Sequence, residues 1–417
     1  MPVQAEILSV GTELLLGEIT DTNAQEISAR LKETGVFVYR RVTLGDNPAR
    51  LTAAFKEALG RASLVIATGG LGPTTDDITA ECLGAALGLP LEFHEGAWQS
   101  MLEWFERRGR QPSESDKKQA MIIRGGVPLI NRNGTAPGQA IVLDGKMAAV
   151  LPGPPREMRP MLEESLLPLI RRTFGDLIPL HIKNLKMVGL PESKVGEAVK
   201  DLMDSPNPTL APYAGGGEIR LRIAARSTDP AEARRMVSSV ETEVKRRLGH
   251  HIYGADSDTL ESVCGQLLAR RGLTLAVAES VTGGLLAHRI TSVAGSSRYF
   301  KMGVVAYHPA IKATCLGVPR EAVLEEEAVN ADAAVAMAQG VRELAGAKIG
   351  VATTGFAGPT GGTEREPVGT VYTAVAYEGG SSVDRVVYGG SRTAVKEYGA
   401  ARALATLWRY LSSLGER

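Results

Sequence analysis

Residues 278–284 read A-E-S-V-T-G-G, after the apolar Leu273, Leu275 and Val277 and before helix-forming sequence. That order places Ser280 where a buried strand turns into a helix N-terminus, close to unpaired backbone amides and the positive end of the helix dipole. A hydroxyl there serves either as a nucleophile or as a helix cap. Nucleophilic use also requires a base, an oxyanion donor and a substrate anchor. The segment V-A-Y-H-P-A-I-K puts Tyr307 at a strand end and Lys312 one helical turn beyond, and T-T-G-F-A-G-P-T-G-G at 353–362 is a second glycine loop after a buried strand. None of the six histidines lies in the serine motif, and His288 falls on the polar face of the next helix, which leaves lysine as the candidate base. A lysine that works as a base near neutrality has been brought from a pKa of about 10.4 to roughly 7–8, a change worth about 4 kcal/mol, so it must be desolvated or lie near another cation. A lysine without such surroundings is an ordinary exposed side chain.

A separate signature, T-G-G-L-G-P-T-T-D-D, spans 68–77 and follows the apolar run Leu64–Ala67. Its glycines permit positive φ and close backbone approach, and the helix start that follows offers N–H groups to a phosphate or pyrophosphate. Asp76 and Asp77 supply oxygen ligands of the kind that hold Mg²⁺ between carboxylates and substrate phosphates, although either could instead cap the helix. The segments at 9–18, 21–23, 133–138 and 151–157 are turn-rich and are expected to meet this loop at the strand ends. Two sites are therefore expected in one chain.

Several apolar runs must position these residues. The 417 residues suggest two or three domains. Residues 1–170 alternate short apolar strands (5–10, 36–42, 64–68, 139–143 and 147–151) with amphipathic helices, the pattern of a doubly wound α/β sheet. Residues 171–252 read β-α-β-β-α, a small α+β module whose hairpin turns at Ala214-Gly215-Gly216-Gly217. Residues 253–417 form a second α/β layered domain, with a helix at 260–271, strands at 273–279, 303–307, 348–353, 368–377 and 383–387, and helices at 330–345 and 393–411. Lys+Arg and Asp+Glu both total 47, so no global field draws the chain to nucleic acid or to an anionic membrane, and small ligands are favoured. Arg220, Arg222 and Arg226 alternate along one strand and read as a solvated face. The three widely spaced cysteines argue against a disulfide framework or a zinc site and fit a reducing cytoplasm. No basic leader and no run of about 18 apolar residues suggests export or membrane insertion.

The strings G-T-E-L-L-L-G-E-I-T-D-T-N, T-G-G-L-G-P-T-x-D-D-x-T and P-G-x-P resemble the molybdopterin-binding fold. Together with A-E-S-x-T-G-G, the whole chain resembles the CinA family of competence/damage-inducible proteins. For the N-terminal domain the resemblance implies Mg²⁺-dependent hydrolysis of the ADP-ribose pyrophosphate, with Gly11, Thr68, Gly69, Gly70, Gly72, Pro73, Thr74 and Gly153 at the substrate and Asp76 and Asp77 at the metal. A pterin ligand is the alternative at the level of the fold. The order β-α-β-β-α resembles a KH-like module, without the G-x-x-G loop that clamps nucleotides. The C-terminal region resembles nicotinamide-nucleotide amidohydrolases, which convert nicotinamide mononucleotide (NMN) to nicotinate mononucleotide and ammonia. By position in the matched motifs, Ser280 becomes the nucleophile, Lys312 its base and Thr354 the oxyanion side, with Tyr307 orienting the pair. Gly283, Gly284, Gly355 and Arg392 become substrate contacts. The family commonly has Cys where this chain has Val281, which removes a thiol nucleophile from that position. Direct attack by a Lys312-activated water, with Ser280 only orienting, stays open. The family resemblance also implies a homodimer, and the rival reading is a non-catalytic pterin- or nucleotide-binding adaptor in competence or DNA repair. The hairpin at 212–217 is the expected lid over the first site.

Overall fold

The computed structural model describes residues 3–175, 177–324 and 328–415. The chain divides into two compact units, Met1–Leu180 with Arg226–Ala233, and His181–Ala225 with Arg234–Arg417.

In the first unit a six-stranded sheet runs in the spatial order Phe37–Leu44, Gln4–Val10, Leu64–Thr68, Lys146–Leu151, Gly138–Leu143, Val127–Leu129. The first four strands are parallel and the last two antiparallel. Side chains alternate between two buried layers. Ile7, Ile66 and Ala149 pack with Ile27 and Leu31 of one helix, and Leu8, Val65 and Val150 pack with Leu51, Phe55 and Leu83 on the other side. Burial of both faces is what a parallel sheet flanked by helices requires. The chain leaves Gln4–Val10 for one edge and returns at Leu64–Thr68, so a crevice opens between the carboxyl ends of those two strands.

The second unit holds two sheets. The smaller is antiparallel, in the order Thr209–Gly215, Glu218–Ala225, His181–Met187, Ile252–Ala255. Its fourth strand is only four residues long and was not expected from sequence. The larger runs Phe300–Val305, Leu275–Glu279, Ile349–Gly355, Thr370–Tyr377, Gly380–Val387, with the first three strands parallel. Leu275, Val277, Ile349 and Val351 face the helices Leu260–Arg270 and Arg392–Ser413, whereas Ala276, Ala278 and Ala352 face the alanine-rich helix Ala331–Leu344. Val188 and Tyr253 join the first of these clusters beside Leu260 and Trp408, so the small sheet shares a core with the larger one.

This packing corrects the expected lid. A Cβ on Gly217 would lie 3.1 Å from the Cβ of Ala401 and 3.4 Å from the Tyr398 ring. The hairpin tip is thus seated on the last helix of its own unit and is not a free flap. Arg220 and Arg222 both lie over the ring of Tyr213 at 4.9 and 5.2 Å, and Arg226 falls beyond the end of their strand. Among the described residues no helix is long and apolar enough to cross a membrane.

The junction between the small sheet and its neighbour contains a titrating group. His251 Nδ1 lies 3.2 Å from the carbonyl of Val188, which only accepts, so Nδ1 carries the proton. Burial holds its pKa below the ordinary value of 6.5. The unfolded chain then binds this proton more readily than the folded one. The stabilisation is present in full above the unfolded pKa and is lost as pH falls through the folded one. Thermal midpoints are expected to drop as pH is lowered through 6.5, with a shallower slope in His251→Gln; parallel slopes would contradict this.

Candidate active site

Strand Leu275–Glu279 lies between two parallel neighbours and is fully buried. The next residue, Ser280, is 6% exposed and donates its N–H to Thr353 O at 2.9 Å. In the two-residue alternation of a strand, Ser280 follows Ala276 and Ala278, which face the layer containing Leu316 of helix Pro309–Leu316. Glu279 points to the opposite face and is 1% exposed. Its carboxyl group accepts from Thr282 Oγ1 (2.7 Å), Gly284 N (2.9 Å), Leu286 N (3.0 Å) and Ala287 N (2.8 Å). The first turn of helix Leu285–Thr291 is therefore capped from within by a buried acid, which satisfies amides that the turn leaves open. Gly283 and Gly284, at φ 58° and 95°, let the chain reverse between Ser280 and that helix.

The same contacts correct part of the sequence reading. Gly284 N–H belongs to Glu279, and Gly283 N–H donates to Ser280 O at 3.1 Å, so neither amide is free for a phosphate. Two amides beside the serine differ: among the described residues, those of Val281 and Thr282 make no hydrogen bond.

Lys312 is only 2% exposed. His308 and Pro309 explain its place: the imidazole Nδ1 accepts from Ala310 N at 3.2 Å, Pro309 opens helix Pro309–Leu316, and Lys312 sits in its first turn. Lys312 Nζ donates to Thr354 Oγ1 at 3.0 Å and to Ala328 O at 3.3 Å. The burial that a lysine base requires is present. Thr354, fully buried on strand Ile349–Gly355, directs its one hydroxyl proton to Ala328 O at 2.8 Å. It is a partner of Lys312, and its hydroxyl has no second proton to give an oxyanion. Ser280 and Lys312 thus contact consecutive residues of one strand, Thr353 and Thr354.

Tyr307 lies two residues past strand Phe300–Val305 and is 59% exposed. Its hydroxyl accepts from Arg392 Nη2 at 2.6 Å, and Arg392 Nη1 donates to Gly358 O at 2.7 Å, which joins three segments named from sequence. Gly355 faces strand Thr370–Tyr377 so closely that a Cβ would lie 2.3 Å from Thr370 O; its small size serves the sheet.

In the first unit, Asn23 ties the crevice together. Its Nδ2 donates to Thr68 Oγ1 at 2.8 Å and Gly153 O at 2.7 Å, and Thr68 Oγ1 donates to Pro152 O at 3.0 Å. Gly69, at φ 104°, passes so near the first strand that a Cβ would lie 2.1 Å from Val10 O, and Gly70 is also left-handed. Gly11 donates its N–H to Leu44 O at 2.9 Å. Gly72 lies against the Asp77 carboxyl, and Pro73 is exposed in the loop between them. Helix Thr79–Leu87 begins at Ile78 with no side-chain cap, so neither aspartate caps it. Instead Thr74 Oγ1 contacts both Asp76 Oδ1 and, at 2.6 Å, Asp77 Oδ2, while Thr74 N donates to Asp77 Oδ2 at 3.0 Å. The Thr74 hydroxyl, then the backbone amide of Asp76, hold the Asp76 carboxyl below its ordinary pKa. One hydroxyl proton cannot serve two carboxylates, and adjacent acids of this kind are a donor set that suits a divalent cation. Among the described residues no group of three His, Cys, Asp or Glu side chains forms a metal site.

Sequence reasoning missed Glu279, Thr282, Thr353, His308 and the bridging role of Asn23. Only Glu279 carried a signal: an acid at the buried end of an apolar strand must find donors.

Comparisons with known proteins cover nearly the whole chain. The family model "Probable molybdopterin binding domain" matches residues 6–172, "Damage-inducible protein CinA KH domain" 182–254, and "CinA C-terminal domain" 257–411. A relative from Moorella thermoacetica named as a competence-damage inducible protein is 46% identical over 98% of this chain and 99% of its own. A CinA-like protein from Dictyoglomus turgidum is 44% identical over 99% and 100%. The solved structure of a CinA protein from Thermoplasma acidophilum, 32% identical, covers 40% of this chain and 98% of its own with a TM-score of 0.38. With a molybdopterin-binding-like domain, a KH domain and a CinA C-terminal domain in one chain, this protein belongs to the CinA family.

Proposed function

We propose that the C-terminal domain is a nicotinamide-nucleotide amidohydrolase. The observation that carries the reading is a buried lysine, Lys312, held by Thr354 on the strand that also receives Ser280. Ser280 Oγ attacks the carboxamide carbon of NMN while Lys312 takes its proton. The tetrahedral oxyanion is met by the amides of Val281 and Thr282, which have no other acceptor among the described residues. Lys312 returns the proton to the departing nitrogen, ammonia leaves, and water cleaves the Ser280 ester to give nicotinate mononucleotide. Thr354 and Ala328 orient the amine, and Tyr307 with Arg392 fixes the mouth of the site. Ammonia and nicotinate mononucleotide formed in equal amounts from NMN test the reading, and no release by the folded protein would overturn it.

The first unit is proposed to hydrolyse the pyrophosphate of ADP-ribose. Asp76 and Asp77 are the residues that would hold a divalent cation such as Mg²⁺, whose chemistry is to neutralise charge on the phosphates. Thr68, Gly69 and Gly70 line the carboxyl end of the strand beside them. Chelation is expected to abolish ADP-ribose cleavage and added Mg²⁺ to restore it. Asp77→Asn is expected to lower the rate by about a hundredfold or more while leaving ammonia release from NMN intact. Full ADP-ribose cleavage in chelator would remove the metal from the account.

A further inference from the structure

A mononucleotide substrate brings a phosphate that needs an anchor, and the two glycine amides nominated from sequence are already engaged. Gly284 N–H serves Glu279, Gly283 N–H serves Ser280 O, and Arg392 is tied to Tyr307 Oη and Gly358 O. One turn further along helix Arg392–Ser413 stands Lys396. It is half-buried, and it makes no hydrogen bond or ion pair with any described residue. Its Nζ lies 3.4 Å from the point where a Cβ on Gly283 would stand. Lys396, Gly283, Thr393 and His288 line a cleft of about 420 Å³, to which Glu397 adds one acid. An ammonium drawn partly out of water without an anion is unfavourable, and a phosphate in the cleft relieves that cost. Gly283 lies three positions after Ser280 and its N–H returns to Ser280 O, so the two stand within about 7 Å and the cleft at Gly283 is within reach of a mononucleotide whose reacting carbon is at Ser280.

We infer that Lys396, with Thr393 and His288 beside the side-chain-free Gly283, forms the subsite for the terminal phosphate of the substrate. The site therefore selects phosphomonoesters over the corresponding nucleosides. Arg392 supports Tyr307 and the loop at Gly358 and is not the primary phosphate ligand. The inference rests on the amidohydrolase reading, and the test keeps the two apart.

Full-length parent, Lys396→Met and Lys396→Arg are assayed for ammonia release from NMN and from nicotinamide riboside, which lacks the phosphate. KM for NMN is expected to rise about ten- to a hundredfold in Lys396→Met with kcat within about threefold, and to recover substantially in Lys396→Arg. Values for the riboside are expected to stay as in the parent. Equal losses on both substrates, or no change with NMN, would overturn the subsite. If the parent releases no ammonia from either compound, the amidohydrolase reading fails by itself. Calorimetric titration with NMN and with inorganic phosphate then decides the subsite: binding weakened tenfold or more in Lys396→Met supports it, and equal binding or none in the parent refutes it. A phosphate response without an NMN response would identify an anion site that is not a substrate subsite and would also overturn the proposal.

Discussion

Replacing Lys312 with methionine is expected to lower kcat for ammonia release from NMN by about a thousandfold or more, with KM changed only severalfold. Methionine matches the length of the lysine stem and is at home in a site that is 2% exposed, so a folded variant is expected. What is lost is the amine that Thr354 and Ala328 hold beside the end of strand Leu275–Glu279. Because the group acts on a proton in flight and does not grip the ligand, the loss falls on the transition state. Thr354→Val should give a smaller decrease, since it removes the 3.0 Å contact but leaves the amine. A Lys312→Met protein with near-parental kcat and an intact thermal midpoint would exclude lysine as the base.

Glu279→Ala is expected to be the most destabilising single change in the C-terminal domain. The carboxyl group gathers four donors, three of them backbone amides of Gly284, Leu286 and Ala287. Each buried donor left without an acceptor costs about 1–3 kcal/mol, and the losses overlap because the turn can relax, so a total of about 3–5 kcal/mol is expected. Glu279→Gln retains one oxygen but turns an amide NH₂ toward either the three-donor cluster or Ala287, and should fall in between. Hydrogen exchange read on a peptide covering 280–291 localises the effect, with faster exchange in Glu279→Ala and an intermediate rate in Glu279→Gln. Unchanged exchange there would mean that the turn does not depend on the acid. Release of the turn also displaces Ser280 and the amides of Val281 and Thr282, so activity should decline with it.

The strands were the most legible part of the fold because their periodicity is tied to burial on both faces. Leu64–Thr68 and Glu218–Ala225 lie where the sequence put them. Ile252–Ala255 escaped because four residues hold too few alternations to stand out, and its pairing with His181–Met187 is non-local. The placement of the candidate residues was legible where a turn follows a clear apolar strand: Ser280 directly after its strand, Lys312 in the helix that follows Tyr307, and the loop from Thr68 to Asp77. It was illegible where function depends on which groups are already satisfied. The string A-E-S-V-T-G-G does not say that Glu279 will occupy the amide of Gly284, or that the Thr354 proton will go to Ala328. Nor does it say that Arg392 will be held by Tyr307 while Lys396 pairs with no described residue. Hydrogen-bond occupancy is a property of tertiary packing, and it reassigns roles among residues that sequence had only grouped together.

The central claim is that Ser280 and Lys312 form an amide-hydrolysing pair, and the most direct measurement is ammonia release from NMN by the full-length protein beside its Ser280→Ala variant. Steady release by the parent is expected, with nicotinate mononucleotide in equal amount, and a loss of about a thousandfold or more in the variant. Release by Ser280→Ala at a rate close to that of the parent would contradict it.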